Sequence, residues 1–459
     1  MTAKKNRPPG PRGKPLLGVM LELRRHGLNL FVRAARDYGD IVYLPLAFGQ
    51  ERILLNHPAF IEQVLVVQHQ KFHKSAMAQA ATRRLLGNGL LNSEDDFWRR
   101  QRRLAQPAFQ KTRVNEYVPT MIEHARAHAA QWRDGEVRDI ADEMSRLTCG
   151  IAVKTLFGLD IGPEADRVGE NLTSLMRHQI HRVRSPIRIP ATWPTPANRR
   201  ADAAFAYLDS LVYGIIEERR ARGGGGNDLL SHLIAAMDED GTQMTPQQLR
   251  DETMTLFLAG HETTALTLSW TWYLLAQNPA AEARLQEELD RVLGGRSPRP
   301  EDLESLPYLA AVIHESLRLY PPAYIMARLS IESFQLGDYS FPAGATIIMS
   351  QWVTHRDARY FPEPLVFRPE RWLDGLITRL PAHAYFPFGG GPRRCIGQGF
   401  AMLEAALVTA ELAQKFSFEL EAGQTIVPEP LITLRPRGGI RMQIYRRAAV
   451  PRAQASVAS

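Results

Sequence analysis

One segment constrains the fold more than any other. Thr245 followed by Pro246 is a helix start, because the hydroxyl can cap and proline suits the first helical position. The pattern then runs about thirty residues, or about 45 Å, to Asn278–Pro279, long enough to cross a large domain. Within it, Met254 to Ala276 is nearly apolar, but His261, Glu262 and several threonines interrupt it. It reads as a buried core helix with a polar interruption, not a membrane anchor. A chain built around such a helix is mainly α.

The rest of the composition excludes several classes. The chain has 459 residues, 44 % hydrophobic and 23 % charged, which is an ordinary globular balance. Its net charge of +7 comes from 56 Lys and Arg against 49 Asp and Glu. Only 8 of the cations are lysine, and the arginines are scattered without a basic tail, so nucleic acid is excluded as a partner. The 2 cysteines, Cys149 and Cys395, rule out a disulfide scaffold and a four-cysteine zinc site. They leave room for one reactive thiol or a one-cysteine metal ligand. The proline-rich, basic start MTAKKNRPPGPRGKPLLG is followed by no signal-peptide core and no transmembrane segment, so a cytoplasmic location is expected.

No repeat and no dividing linker is visible, so 1–459 is read as one domain, with 1–20 a proline-rich segment and 446–459 a disordered tail. A helix is expected from Asn29 to Tyr38, then a hairpin from IVYLPLAF and ERILLN, then a helix over 58–68. From about 95 to 290 the pattern is mostly helical. Breaks fall at Gly87–Gly89, at Ser93–Asp96, at Ile187–Pro196 and at Gly223–Gly226, where four glycines suggest a flexible connection. YLAAVIHESLRLY is a helix stopped by Pro321–Pro322. Residues 323–350 read as short strands and turns, and 351–395 as a long irregular loop, which in a compact domain is usually functional. A helix of roughly twenty residues follows Cys395.

The most informative stretch is FPFGGGPRRCIGQGF, residues 386–400. Arg393 and Arg394 put positive charge near Cys395, and a helix beginning just after it aims free N–H groups at the sulfur. Gly389, Gly390, Gly391 and Gly397 let the backbone approach something large and flat, and Phe388 adds an apolar wall. Such a sulfur suits a nucleophile or a metal ligand. No Cys–His pairing is signalled, and a haem, which supplies four in-plane ligands itself, needs one thiolate. The pattern F-G-x-G-x-R-x-C-x-G, here Phe388, Gly389, Gly391, Arg393, Cys395 and Gly397, resembles the haem-binding loop of the cytochromes P-450. Cys149, inside MSRLTCGIAVKTLFG, is read as a core residue.

The resemblance extends over roughly residues 8 to 445 and implies further roles. Glu315 and Arg318, three apart on a helix, with Arg371 of FRPERW, are similar to the family's structural Glu–Arg–Arg triad, which ties that helix to the loop before the cysteine. Ala259, Gly260, His261, Glu262, Thr263 and Thr264 resemble its oxygen-binding segment. There a small Ala–Gly step leaves room for O2, a local break in the helix frees backbone groups for water, and Glu262 and Thr263 manage proton delivery. Trp98 and Arg102, four apart, resemble the helix that binds a haem propionate, where an arginine fork faces a carboxylate. Arg393, Lys74 and Arg328 are further propionate candidates. Arg99, Arg100 and Arg103 remain on the same helix, either as a plain solvated face or as a basic docking patch for an acidic electron donor.

The resemblance thus implies a mainly α cytochrome P-450 fold with small β portions, with haem b (iron protoporphyrin IX) between the long helix and the cysteine helix. The implied function is haem-thiolate monooxygenation of an apolar small molecule with O2. The electrons would come from a ferredoxin or flavodoxin with its reductase, since 459 residues leave no room for a fused reductase. A monomer is expected. Fatty acids, terpenoids and carotenoids are the favoured substrates, against a pocket of Met77, Leu85, Leu86, Leu90, Ile187, Ile189, Trp193, Leu258, Ile325 and Met326. Two alternatives are a peroxide-using or rearranging haem-thiolate enzyme, and a non-enzymatic haem gas sensor. The first is disfavoured by the Glu262–Thr263 pair, the second by the lack of a signalling domain.

Overall fold

The computed structural model describes residues 7–158, 167–172, 174, 175, 178, 182, 190, 192–221, 226, 228–238 and 241–448. Ile187 and Ile189, most of the proline-rich loop, three of the four glycines at 223–226 and residues 449–459 of the expected tail lie outside them. The rest of that tail is ordered: Arg446 ends a strand, Arg441–Arg446.

The long helix spans Pro246–Ala276, 31 residues. Its start is a reciprocal capping box. Gln248 N–H donates to the Thr245 hydroxyl at 3.2 Å, and Thr245 N–H donates to the Gln248 side chain at 2.8 Å. Nearly the whole helix is buried, so its polar side chains need partners. They find them on the helix itself. Thr263 donates to Ala259 O at 2.7 Å, Thr267 to Thr263 O at 2.9 Å, and Thr271 to Thr267 O at 2.8 Å. That four-back bonding corrects the expected local break: the helix is continuous through 259–264. His261 is buried and links this helix to the neighbouring one, Ile140–Phe157, through the Ser145 carbonyl at 3.0 Å.

Around this axis pack Pro196–Ala221, Pro307–Leu319 and the cysteine helix Gln398–Ala413, which has 16 residues and is shorter than expected. Two large apolar cores flank the central helix. One holds Trp132, Trp270, Trp272 and Phe418, the other Leu86, Cys149, Phe205 and Leu258. Cys149 is 1 % exposed, as a core residue should be. No described helix is long and apolar enough to cross a membrane.

The main sheet has five strands in the order Ile41–Pro45, Glu51–Leu55, Thr346–Met349, Met326–Ser330, Phe72–Lys74. The expected hairpin is its first pair, antiparallel, with a shorter first strand. Leu46–Phe48 leaves the strand because Phe48 turns with φ +57°. The expected helix at 58–68 is helical over Pro58–Glu62 and widens into a π turn over Gln63–Val67. At the far edge, the register sets Lys74 directly opposite Arg328. Like charges facing each other across a ladder are unfavourable unless something neutralises them.

Candidate functional site

The loop that carries Cys395 is held by a buried polar frame. Glu315 accepts from Arg318 Nε and NH2, both at 2.8 Å, and from Arg371 Nε at 2.9 Å. Glu315 and Arg318 are 0 % exposed. Trp372 Nε1 at 2.8 Å and the Arg368 N–H at 3.0 Å complete the carboxylate's shell. Arg318 also donates to the His355 and Pro364 carbonyls, and Arg371 to Pro362. His355 Nε2 accepts the Phe386 N–H at 2.9 Å. The frame therefore reaches the cysteine loop through one histidine. Sequence reading found the three charges and missed Trp372, Arg368 and His355.

In that loop Cys395 N–H donates to Phe388 O at 3.0 Å, closing the loop from residue 388 to 395. Glycine is required at two of its positions. A Cβ on Gly391 (φ +64°) would lie 1.9 Å from Leu65 O, and one on Gly390 would lie 2.3 Å from the His383 ring. These two glycines therefore fit the loop against other protein segments, which corrects the expectation that they serve a flat ligand. Gly397 differs: a Cβ there would meet only Phe109, at 3.7 Å. The Cys395 side chain is exposed, yet burial pushes its thiol above the ordinary value. Both hold if the thiol opens on a concave wall of protein. The Gly397 N–H, Arg102 and Arg394 oppose that rise and favour the thiolate without outweighing burial. Among the described residues no group of three or more His, Cys, Asp or Glu is arranged to hold a metal ion. A metal at Cys395 would therefore need ligands of its own.

Trp98, Arg393, Lys74 and Arg328 converge beside this loop. The Arg393 guanidinium lies 3.9 Å above the Trp98 ring, donates to Ser93 O at 2.7 Å and pairs with Glu94. Burial, then the charges of Arg393 and Arg328, lower the Lys74 ammonium to about 7. Lys74 donates to the Leu90 and Leu91 carbonyls. The Arg328 guanidinium has one described hydrogen bond, to Ala327 O at 3.1 Å. Lys74, Arg328 and Arg393 are half-buried around the carboxylate of Glu94, with Glu252 also acting on Lys74 and Asp95 on Arg393. Arg102 stands apart from this cluster. It donates to Arg394 O at 2.8 Å and to Gln106 at 3.0 Å, on the thiol's side.

On the central helix, Ala259 is exposed, and Gly260 and Thr263 are half-buried, in an otherwise buried run. A Cβ on Gly260 would meet nothing within 4 Å. Glu262 turns elsewhere. Its carboxylate accepts from Arg435 Nε at 2.6 Å and NH2 at 2.5 Å, and from the Thr433 hydroxyl at 2.9 Å. Both partners come from the C-terminal hairpin, Pro428–Pro430 with Leu434–Pro436, and sequence reading gave no sign of them.

The break at Gly87–Gly89 is a loop gripped by the same helix. Asn88 N–H donates to Asp251 at 2.8 Å and Leu90 N–H to Glu252 at 3.0 Å. A Cβ on Gly87 would strike the Asp251 carboxylate and one on Gly89 the Thr255 hydroxyl. Glu252 is 1 % exposed, with one oxygen lacking a partner, and burial raises it to about 7. The folded state therefore holds a proton here that the unfolded state releases. Stability from this group should fall as pH rises from about 4.5 to about 7. Glu252→Gln should lack that fall, as measured by denaturant unfolding across the window.

The remaining candidates divide. Leu85 and Leu86 face the second core, and Leu90 and Leu258 are buried beside the gripped loop, whereas Trp193 is 60 % exposed. Ile325 and Met326 are half-buried next to Arg328, and the structure says nothing of the Met77 side chain. Arg100 and Arg103 both pair with Asp238, and Arg99 with Asp96. The basic patch is thus partly neutralised.

Comparison with known proteins gives the frame for this geometry. The cytochrome P-450 family model matches residues 8–442. Cyclooctatin synthase of Streptomyces melanosporofaciens is 38 % identical over 436 residues, 94 % of each chain. Cyclooctat-9-en-7-ol 5-monooxygenase of the same organism is 37 % identical, over 91 % of this chain and 90 % of the other. Pentalenene oxygenase of Streptomyces avermitilis is 32 % identical, over 95 % and 97 %. Among solved structures, the cytochrome P-450DA heme domain aligns with a TM-score of 0.87 at 26 % identity, covering 98 % of this chain and 100 % of that one. The retinoic acid bound cyanobacterial CYP120A1 gives 0.84 at 27 %, covering 97 % and 100 %. A mainly helical fold with one accessible thiol, matched over nearly its whole length, places this chain in the cytochrome P-450 family as one of its haem-dependent monooxygenases.

Proposed function

We propose that the chain is a single haem domain, 1–459, that hydroxylates or epoxidises a terpenoid, with Cys395 as the residue whose thiolate would hold the iron of haem b. The observation that carries the assignment is the thiol itself, accessible, beside Arg102, Arg394 and the Gly397 N–H. The residues fit the cofactor. Lys74 and Arg328, opposed across the sheet edge, and Arg393 on Trp98 form a cationic site for propionates. Arg102 steadies the thiolate and the cysteine loop. Phe388 and the Ala259–Gly260 step supply walls that a flat ring and O2 would face. When bound, haem supplies the redox chemistry that places one oxygen atom of O2 in the substrate and the other in water.

The protein's own part is to orient substrate, exclude water and move protons. Thr263 presents its hydroxyl on the accessible stripe of the central helix. Glu262, one residue away, would relay protons from the other side of the helix, with Arg435 and Thr433 fixing its carboxylate. Glu262→Gln is expected to slow turnover roughly 100-fold. Arg435→Ala is expected to raise the hydrogen peroxide released per NAD(P)H consumed while leaving substrate affinity within about threefold, a split that mere misfolding would not produce. The terpenoid preference rests on the relatives' printed names together with the apolar side chains Leu258, Ile325 and Met326. Electrons would come from a ferredoxin or flavodoxin with its reductase, docking near Arg99, Arg100 and Arg103.

The test is reconstitution with ferredoxin, reductase and NAD(P)H, a panel of terpenes, and isotopically labelled O2. One labelled oxygen atom in a product, with matching NAD(P)H use, supports the reading. Equal turnover with hydrogen peroxide alone would favour the peroxide-using alternative, and no product with any substrate or donor would favour the sensor.

A further inference from the structure

The helix Asp95–Ala105 carries Arg99 and Arg103 exposed and Arg100 half-buried. Arg99 meets an acid of its own helix, Asp96. Arg100 and Arg103 are three apart and share a face. Their acid is Asp238, 138 positions from Arg100 and on another segment. Arg100 Nε donates to its carboxylate at 2.9 Å, and Arg103 NH2 pairs with the same group.

Asp238 is held in place by its own turn. Its N–H donates to Thr242 O at 2.9 Å, and Gly241 N–H donates back to Asp238 O at 2.9 Å. Arg100 NH2 donates to the Thr242 hydroxyl at 2.9 Å, so Arg100 grips both ends of that turn. The turn lies between the helix Leu229–Ala235 and the long helix, and it sits on the arginine face as an acidic cover.

The depths of the three side chains differ. Asp238 is 9 % exposed, Arg100 23 % and Arg103 57 %. The acid is the floor and Arg103 the outer wall. Anchoring the turn accounts for Arg100, the more covered arginine with the further bond to Thr242. It does not require Arg103, because a largely exposed ion pair adds little to stability. The pairing of Arg103 acts instead on what that arginine offers to solvent. A carboxylate arriving from outside meets a guanidinium already engaged from beneath. Beside it opens a cleft of about 470 Å³, lined by Arg103, Gln110, Arg113 and Met237, wide enough for an acidic side chain. Arg99, Arg100 and Arg103, set against Asp96 and Asp238, keep one net positive charge.

We propose that the turn closed by Asp238 and Thr242 is an internal competitor for the electron donor. Asp238 takes the place on Arg100 and Arg103 that a carboxylate of an acidic donor protein would take, and so weakens docking. The inference rests on the reading that this arginine face receives the donor. A one-electron carrier must dock twice in each turnover, and a weakened face releases it sooner.

The test is calorimetric titration of the haem-loaded protein with an acidic plant-type two-iron ferredoxin over a series of salt concentrations. Asp238→Asn keeps the side chain's size, and Arg100 keeps Thr242, so the thermal midpoint should hold. Its dissociation constant for ferredoxin should fall roughly fivefold, with a steeper loss of affinity as salt rises. Asp238→Glu keeps the charge and should stay within about twofold of wild type. Loosening of the helix would weaken binding, so tighter binding by Asp238→Asn alone supports the proposal. Unchanged or weaker binding by Asp238→Asn, while Arg103→Gln binds less well than wild type, overturns the competitor and leaves the docking reading standing. Ferredoxin binding that is absent, or that Arg103→Gln leaves unchanged, overturns the docking reading and the proposal with it.

Discussion

Glu315→Ala is expected to destabilise the folded protein by about 3–5 kcal/mol, the usual cost of removing one partner from a buried ion pair. Arg318 and Arg371 would keep their charges at 0 % and 3 % side-chain exposure with no carboxylate left to meet them. The Trp372 and Arg368 N–H groups would lose their acceptor as well. Against a total stability of about 5–15 kcal/mol, that is enough to release haem and lower the soluble yield. Burial alone would push Glu315 up, but Arg318, with Arg371 and the Arg368 N–H, brings it below the ordinary carboxylate value. The sign follows: this contribution is full above about 4.5 and is lost as pH falls through the lowered value. Denaturant midpoints and haem content of Glu315→Ala and Glu315→Asp measure the effect. A stability for Glu315→Ala within about 0.5 kcal/mol of wild type would show that the frame does not hold the fold.

Cys395→Ala is expected to abolish monooxygenase turnover altogether while leaving the fold in place. The side chain is small and exposed, so its removal opens no core cavity, and the turn is closed by backbone, Cys395 N–H to Phe388 O. Cys149→Ala is the matched control. It deletes a buried sulfur from the second core and should cost about 1–2 kcal/mol of stability with turnover retained. Far-ultraviolet circular dichroism, haem content and turnover separate the two variants. Residual activity in Cys395→Ala above the level of free haem would contradict the ligand assignment.

Features carried by local spacing were legible in the sequence. The capping pair Thr245–Pro246 located the long helix, and the i,i+3 spacing of Glu315 and Arg318 put both on one face. The cysteine window concentrates six specified positions in ten residues. Features made by the register of distant segments were not legible. Arg435 lies 173 positions from Glu262, and nothing local to either announces the pair. The facing of Lys74 and Arg328 depends on strand order in the main sheet. Glu94 and Asp238, which pair with Arg393 and with Arg100 and Arg103, carry no local sign of those partners. The expected break in the central helix failed for a different reason. Threonines in a buried helix bond to carbonyls four residues back, so the motif's polarity is absorbed without opening the backbone.

In the proposed function Cys395 would ligate haem iron as a thiolate. The direct measurement is the absorption spectrum of the purified protein, reduced and exposed to carbon monoxide. Thiolate ligation through Cys395 predicts the red-shifted Soret band from which the family takes its name, lost in Cys395→Ala and kept in Cys149→Ala. A Soret band at the shorter wavelength of a neutral axial ligand in intact protein, or no bound haem at all, would contradict it.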